Sequence, residues 1–255
     1  MTRRFKLTLE YHGGGFVGWQ RQTNGLSVQE VVERALESLE EAPRAVHGAG
    51  RTDAGVHALG QAAHVDLDKN WRPDRLRDAL NARMRPHAVS ALLVEEAPGE
   101  FEARFSATAR RYLYRILDRR APAAVERGLV WHVPRRLDER AMDEAAQLLV
   151  GRHDFTTFRA AECQASGPIR TLDRLDVARQ GDFIEIVAVA RSFLHHQVRS
   201  MVGSLNYVGR GKWSPCDLAD ALAAHDRSRC GTVAPACGLY LHSVKYGGGP
   251  GELPP

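Results

Sequence analysis

The sequence predicts an α+β chain, with helices packed on a mixed or antiparallel sheet, and three observations carry that expectation. The first hundred residues run strand, helix, strand, helix, strand by hydrophobic period. The second half holds the same kinds of element: an amphipathic helix, a strand pair around Gly181 and a further helix that opens near Arg199. Between the first helix and the second long strand lies a glycine-dense stretch, Gly48-Ala49-Gly50-Arg51-Thr52-Asp53-Ala54-Gly55-Val56-His57-Ala58-Leu59-Gly60-Gln61. A loop that feeds a sheet is where catalytic side chains concentrate.

Phe5 to Tyr11 alternates as a strand. In the segment after it, Gly13, Gly15 and Gly18 match the spacing G-x-G-x-x-G of a dinucleotide-binding turn. That reading fails on physical grounds. Such glycines must open a helix whose N-terminus holds the pyrophosphate, and here Trp19 to Gly25 intervenes. The helix comes at Ser27 to Glu41, where Ser27 and Glu30 predict a capping box. Val28, Val31, Val32, Ala35, Leu36 and Leu39 form its apolar stripe, and Pro43 should end it. The glycine-dense loop then leads into a strand from Gly60 to Leu67. Pro73 to Ala82 reads as a helix with proline in its first turn, and Ala88 to Glu95 as a strand.

Further on, Phe101 to Arg115 contains an Arg110-Arg111 pair followed by Tyr112 and Tyr114 on one face of a strand. Asp118 to Arg136, with Pro122 and Pro134, reads as a linker. Asp138 to Val150 reads as an amphipathic helix closed by Gly151. Leu172 to Arg179 and Phe183 to Ala190 read as a hairpin, the second strand apolar enough to be central. In the helix after Phe193, Val198, Met201, Val202, Leu205 and Val208 form the buried stripe, and Arg199 stands one residue off it. A short helix at Pro215 to Ala224 and a last strand ending near Tyr246 follow. Gly247 to Pro255 has the composition of a disordered tail.

Composition bounds the function. The chain has 255 residues, 44% of them hydrophobic, enough for two small domains or one large one. It has no apolar run of about 18 residues and no signal-peptide h-region, so a cytoplasmic location is expected. The four cysteines, at 163, 216, 230 and 237, form no C-x-x-C pair, and no histidine spacing fits a metal. No metal and no cofactor are expected. The net charge is +4. Of 35 basic residues only four are lysine, leaving 35 − 4 = 31 arginines. Arginine suits phosphate and base contacts, although a GC-rich genome would also enrich it.

Asp53 is the one residue in the middle of the glycine-dense loop able to act as nucleophile or base unaided. Turn chemistry alone leaves two readings open, a carboxylate that caps its own turn and a catalytic group. Gly50-Arg51-Thr52-Asp53-Ala54-Gly55-Val56-His57 resembles the signature of the tRNA pseudouridine synthase A (TruA) family. Phe16-x-Gly18-Trp19-Gln20-Arg21-Gln22, the Arg110-Arg111-Tyr112 stretch, His153 to Arg159 and the segment around Arg199 resemble further family motifs, so the likeness runs from about Phe5 to Tyr246. The chain departs from the family at Asn81 to Ala88, where members usually carry Leu-Pro and then Asp-Ile, and Cys237 stands at a variable place.

The resemblance implies a pseudouridine synthase fold. Two similar α/β-sandwich domains, 1–105 and 106–246, would join their sheets, with the active-site cleft between them and 247–255 as tail. It implies a homodimer that converts uridine to pseudouridine at positions 38, 39 and 40 of the tRNA anticodon arm. Asp53 would be the nucleophile, Arg199 its cationic partner, and Tyr112 the ring that stacks on the base and accepts a proton. Arg51 would fill the gap left by the flipped base, and Leu239 would wall the base on one side. An ionised carboxylate in such a site needs a nearby cation to offset burial. Two other classes remain to be weighed. A non-catalytic tRNA-binding protein would have no need of Asp53, and a nucleosidase would need a second acid for its leaving group.

Overall fold

The computed structural model describes residues 2–247. The expected tail at 247–255 thus falls, but for Gly247, outside the described residues. Among those described the chain is α+β, with ten strands and five α-helices. It divides into two compact units. One holds residues 2–54, 58–110 and 242–247, and the other holds 55–57 and 111–241.

In the first unit, β1 (Arg3–Tyr11) pairs antiparallel with both β3 (His57–Leu67) and β4 (Val89–Ala97), and β2 (His47–Gly48) pairs with β3. Phe5, Leu7 and Leu9 alternate into the core and are fully buried, as a half-covered antiparallel strand requires. The ladder slips by one residue between Leu9, opposite Gln61, and Tyr11, opposite Ala58. A bulge of this kind re-aims the side chain beyond it. Here it delivers the Tyr11 hydroxyl to Thr52.

Helix α1 (Val28–Glu40) buries Val28, Val31, Val32, Ala35 and Leu36. Ser27 caps it, its Oγ accepting from the Glu30 N–H at 3.2 Å. The reciprocal half of the expected box is replaced by an ion pair, because the Glu30 carboxylate takes Arg34 at 2.7 Å. The helix ends at Glu41 in the left-handed conformation, φ 60°, before Pro43 is reached. Helix α2 (Pro73–Arg83) packs against β4 and α1 and buries Leu76 and Leu80. The segment that departs from the family pattern has its own anchor there. The Asn81 amide brackets Ala91, its Nδ2 donating to the Ala91 carbonyl at 2.9 Å while its Oδ1 accepts from the Ala91 N–H at 2.8 Å. Asn81 thus replaces one rung of backbone pairing and docks the end of α2 on the sheet.

The second unit takes the later part of β5 (Ala107–Leu117), then α3 (Glu139–Gln147), β7 (Gly151–Asp154), β8 (Ile169–Gln180), β9 (Phe183–Ala190), α4 (Gln197–Gly209) and α5 (Pro215–Ala223). Its strands lie in the order β5-β9-β8-β7, so β9 is central, as its apolar run predicts. The last strand, β10 (Leu239–Tyr246), changes unit between Leu241 and His242. Helix α3 packs on β8 and α4, and α5 on α3 and α4.

Two expectations are corrected here. Helix α3 ends at Gln147, and Gly151, at φ 112°, opens a strand instead of capping the helix. The stretch 118–136 is no linker. It carries β6 (Trp131–His132), parallel to β5. Its first residue, Asp118, is buried and takes a two-pronged contact from Arg179, at 2.8 and 2.9 Å. Proline and charge mark an irregular path in the sequence. They do not distinguish a free linker from one whose charges have buried partners.

Candidate active site

Asp53 lies in a loop that is fixed almost residue by residue. Leaving β2, the Ala49 N–H donates to the Ala62 carbonyl at 2.7 Å. The Ala49 carbonyl accepts twice from Arg110, from Nε at 3.2 Å and Nη2 at 2.6 Å. The Gly50 carbonyl accepts from Gln61 Nε2 at 2.7 Å. Buried Thr52 is held at both ends. Its hydroxyl lies 2.8 Å from the Tyr11 hydroxyl, and its carbonyl accepts from the Trp19 N–H at 3.0 Å. Asp53 itself bridges Gly18. Buried carbonyls in a non-repetitive segment must find such partners. Asp53 is half-buried at the end of this series, while Arg51, in its middle, is exposed.

Two glycines let the chain fold this tightly. A Cβ on Gly48 would strike the Trp19 indole at 2.5 Å. Gly18 has φ 114°, and a Cβ there would come within 2.6 Å of the Thr52 carbonyl oxygen and 3.2 Å of the Asp53 carbonyl carbon. The second site combines left-handed strain with a backbone clash. Gly18→Ala should therefore destabilise the chain by about 2 kcal/mol or more. Gly15→Ala, three residues away with nothing within 4 Å of the added carbon, should stay within about 0.5 kcal/mol of wild type. Denaturant titration of both variants checks this, and equal effects would show that Gly18 is not the constraint.

The other expected site residues lie in the second unit. Tyr112 and Tyr114 point to the same buried face of β5, as their spacing predicts, but their settings differ. Tyr114 is fully buried, donates its hydroxyl proton to the Pro235 carbonyl at 2.8 Å, and is held well above the ordinary tyrosine pKa, chiefly by burial. It is a structural donor. Tyr112 packs edge-on against Phe193, ring centroids 5.2 Å apart. Arg199 rises from the first turn of α4, and its Nε donates to the Ala234 carbonyl at 2.8 Å. The Ala234 N–H returns a bond to the Arg199 carbonyl at 3.0 Å. The charge of Arg199 is felt at the Tyr114 hydroxyl and at the Cys237 thiol. It partly offsets the burial that raises both pKa values. Gly238 packs its α-carbon against the Tyr114 ring, and the next residue, Leu239, is buried at the start of β10.

Sequence reasoning singled out Asp53, Arg51, Tyr112, Arg199 and Leu239, and missed the residues that hold them. Arg110 stood in the motif as half of an arginine pair, and Gln61 closed the glycine-dense stretch. Neither position carries a local signal for its partner, which lies 61 residues away for Arg110 and 11 for Gln61. The motif's His57 proves to be an anchor. It is buried, stacks on Tyr240 at 4.8 Å, and lies 3.1 Å from the Gly128 carbonyl through Nε2. No helix among the described residues is long and apolar enough to cross a membrane.

Comparison with known proteins agrees with the motifs. The family described as tRNA pseudouridine synthase matches residues 8–106 and 145–247. The chain is 67% identical over 243 residues to a tRNA pseudouridine synthase A of Beijerinckia indica, covering 95% of this chain and 94% of that protein. It is 60% identical over 243 residues to proteins of the same name from Azorhizobium caulinodans and Methylocella silvestris. These cover 95% of this chain, and 94% and 98% of the respective relatives.

Proposed function

The chain belongs to the tRNA pseudouridine synthase A family, and from that premise we propose that it isomerises uridines 38, 39 and 40 of the tRNA anticodon arm, with Asp53 as nucleophile. The observation that carries the reading is the setting of Asp53. A half-buried carboxylate ends a loop in which the carbonyls of Ala49, Gly50 and Thr52 are each anchored. A turn that merely caps itself has no need of such fixation. Nucleophilic attack does, because reacting atoms must be held near attack distance.

The reaction cleaves the N-glycosidic bond, turns the uracil and joins its C5 to the ribose C1′. The proton displaced from C5 leaves to a base. No electrons and no water are consumed. In the proposed mechanism the Asp53 carboxylate forms a covalent bond to the nucleoside that is broken again before product leaves, while N1 keeps the glycosidic electron pair and ends protonated; one high barrier is thus divided into two lower ones. Tyr112 stacks on the uracil and receives the C5 proton. Arg199 supplies the positive charge that keeps the carboxylate ionised, its guanidinium oriented through Ala234. Leu239 contributes an apolar wall. The target base must be flipped out of its stack at a cost of a few kcal/mol, and Arg51, exposed in the loop, occupies the gap in this proposal. We further propose a cytoplasmic homodimer whose tRNA affinity falls steeply with salt as several phosphates are neutralised.

Incubation with unmodified tRNA, followed by nucleoside analysis and mapping of the modified positions, tests the reading. Pseudouridine at 38–40 is expected. Bound tRNA without conversion would indicate a binding protein, and free uracil a hydrolase. Light scattering at micromolar concentration tests assembly, and a fully active monomer would remove the dimer from the proposal.

A further inference from the structure

We propose that Arg110 is a positioning residue for the reaction: its buried guanidinium, together with the Gln61 amide, fixes the Ala49 and Gly50 carbonyls and thereby sets where the Asp53 carboxylate stands. The inference rests on Asp53 being the nucleophile.

Arg110 is only 8% exposed. Its fork spans two carbonyls, that of Ala49 through Nε and Nη2, and that of Arg104 at 2.7 Å through Nη2. Burying a guanidinium is costly, and a neutral amide would suffice to satisfy one loop carbonyl, as Gln61 does for Gly50. What the guanidinium adds is rigidity. Two donors of one planar group converge on a single oxygen, a geometry that a lysine cannot reproduce. Beside it at the near end stands the Ala49 N–H bond to the Ala62 carbonyl, and the remaining anchors act further along the loop, at Thr52 and at the Gly18 bridge. Arg110 is therefore the side-chain anchor of the near end, and without it the Ala49 carbonyl loses its hold and residues 49–51 pivot between the Ala49 N–H and Thr52. The surroundings cannot take up that movement by repacking. Ala49, Ala62 and Ala103 form a small-residue core with Phe101, Val244 and Tyr246 against it.

The test uses Arg110→Met, Arg110→Lys and Gln61→Leu in the full chain, with kcat and KM on unmodified tRNA expressed per folded molecule. For Arg110→Met we expect kcat to fall about 100-fold, the scale of a misplacement of about 1 Å, with KM within about threefold of wild type because phosphate contacts elsewhere are untouched. Arg110→Lys and Gln61→Leu should each lose about tenfold, and both carry the test if the methionine variant does not fold. Leu80→Ala, in the core of the same unit, is the stability control. It should lose as much stability as Arg110→Met and keep its kcat. A kcat within about threefold of wild type for the Arg110 variants, or an equal loss in Leu80→Ala, would overturn the proposal. Hydrogen exchange gives a readout without turnover. The Ala49 amide, bonded to the Ala62 carbonyl, and the Trp19 amide, bonded to the Thr52 carbonyl, should lose protection in Arg110→Met while those of β1 keep theirs. A wild type that makes no pseudouridine would refute the functional reading, and unchanged exchange at the Ala49 and Trp19 amides would separately refute the role of Arg110.

Discussion

Asp53→Asn should lower pseudouridine formation by roughly 10⁴-fold or more, while affinity for tRNA changes by less than about threefold. The substitution keeps the size and shape of the side chain and removes the charge. The loop should keep its course, because the anchors on Ala49, Gly50 and Thr52 use carbonyls and a hydroxyl that the substitution does not touch. Binding should persist because it is spread over many phosphate contacts, none of which depends on a single carboxylate. Nucleoside analysis after long incubation measures the first quantity and filter binding the second. A tRNA carrying 5-fluorouridine adds a covalent readout, with an adduct expected for wild type and none for the variant. A rate of pseudouridine formation within about 100-fold of wild type from Asp53→Asn would remove the nucleophile from the proposed mechanism.

Much of the fold was legible because its causes are local. The stripe of α1, the alternation of β1 and the turn at Gly181 follow from periods of 3.6 and 2 and from turn chemistry. The errors occurred where a distant partner decides. Asp118 looked like the start of a linker until Arg179, 61 residues later, reached it. Glu30 looked like half of a capping box, and Arg34, on the same helix, took its carboxylate instead. The candidate site divides in the same way. Asp53, Tyr112 and Arg199 came from motif resemblance, which carries chemistry but no geometry. The guanidinium that holds the Ala49 carbonyl is also 61 residues away, and no periodicity could point to it. A glycine inside a helix gives a similarly misleading signal. By propensity Gly203 is a defect costing about 1 kcal/mol relative to alanine, whereas its surroundings make it a requirement.

Gly203→Ala should therefore destabilise the chain where a helix-propensity scale predicts a gain. The added carbon would lie 1.5 Å from the Thr232 carbonyl oxygen, 2.7 Å from its carbon and 3.1 Å from the Ala234 nitrogen. The nearest atoms belong to backbone, so no rotamer change relieves the overlap. The segment from Cys230 to Ala234 lies flat on α4. The Gly231 N–H donates to Ser204 Oγ at 3.0 Å, Tyr207 and Thr232 share a hydroxyl contact at 2.6 Å, and Ala234 exchanges bonds with Arg199. Alanine at 203 must push this segment off the helix and break several of those contacts together. The expected cost is about 3 kcal/mol or more, at or beyond the upper end for overpacking. Activity should fall further than the folded fraction does, because the displaced strip includes the carbonyl that orients Arg199. Calorimetry and denaturant titration measure the first effect, and kcat per folded molecule the second. Gly211→Ala is the comparison at the end of the same helix. It has φ 66° and open space around the added carbon, so it should cost about 1 kcal/mol from backbone strain alone and leave kcat intact. If Gly203→Ala is as stable and active as wild type, the close approach of the Thr232 segment to α4 is not what holds Arg199 in place.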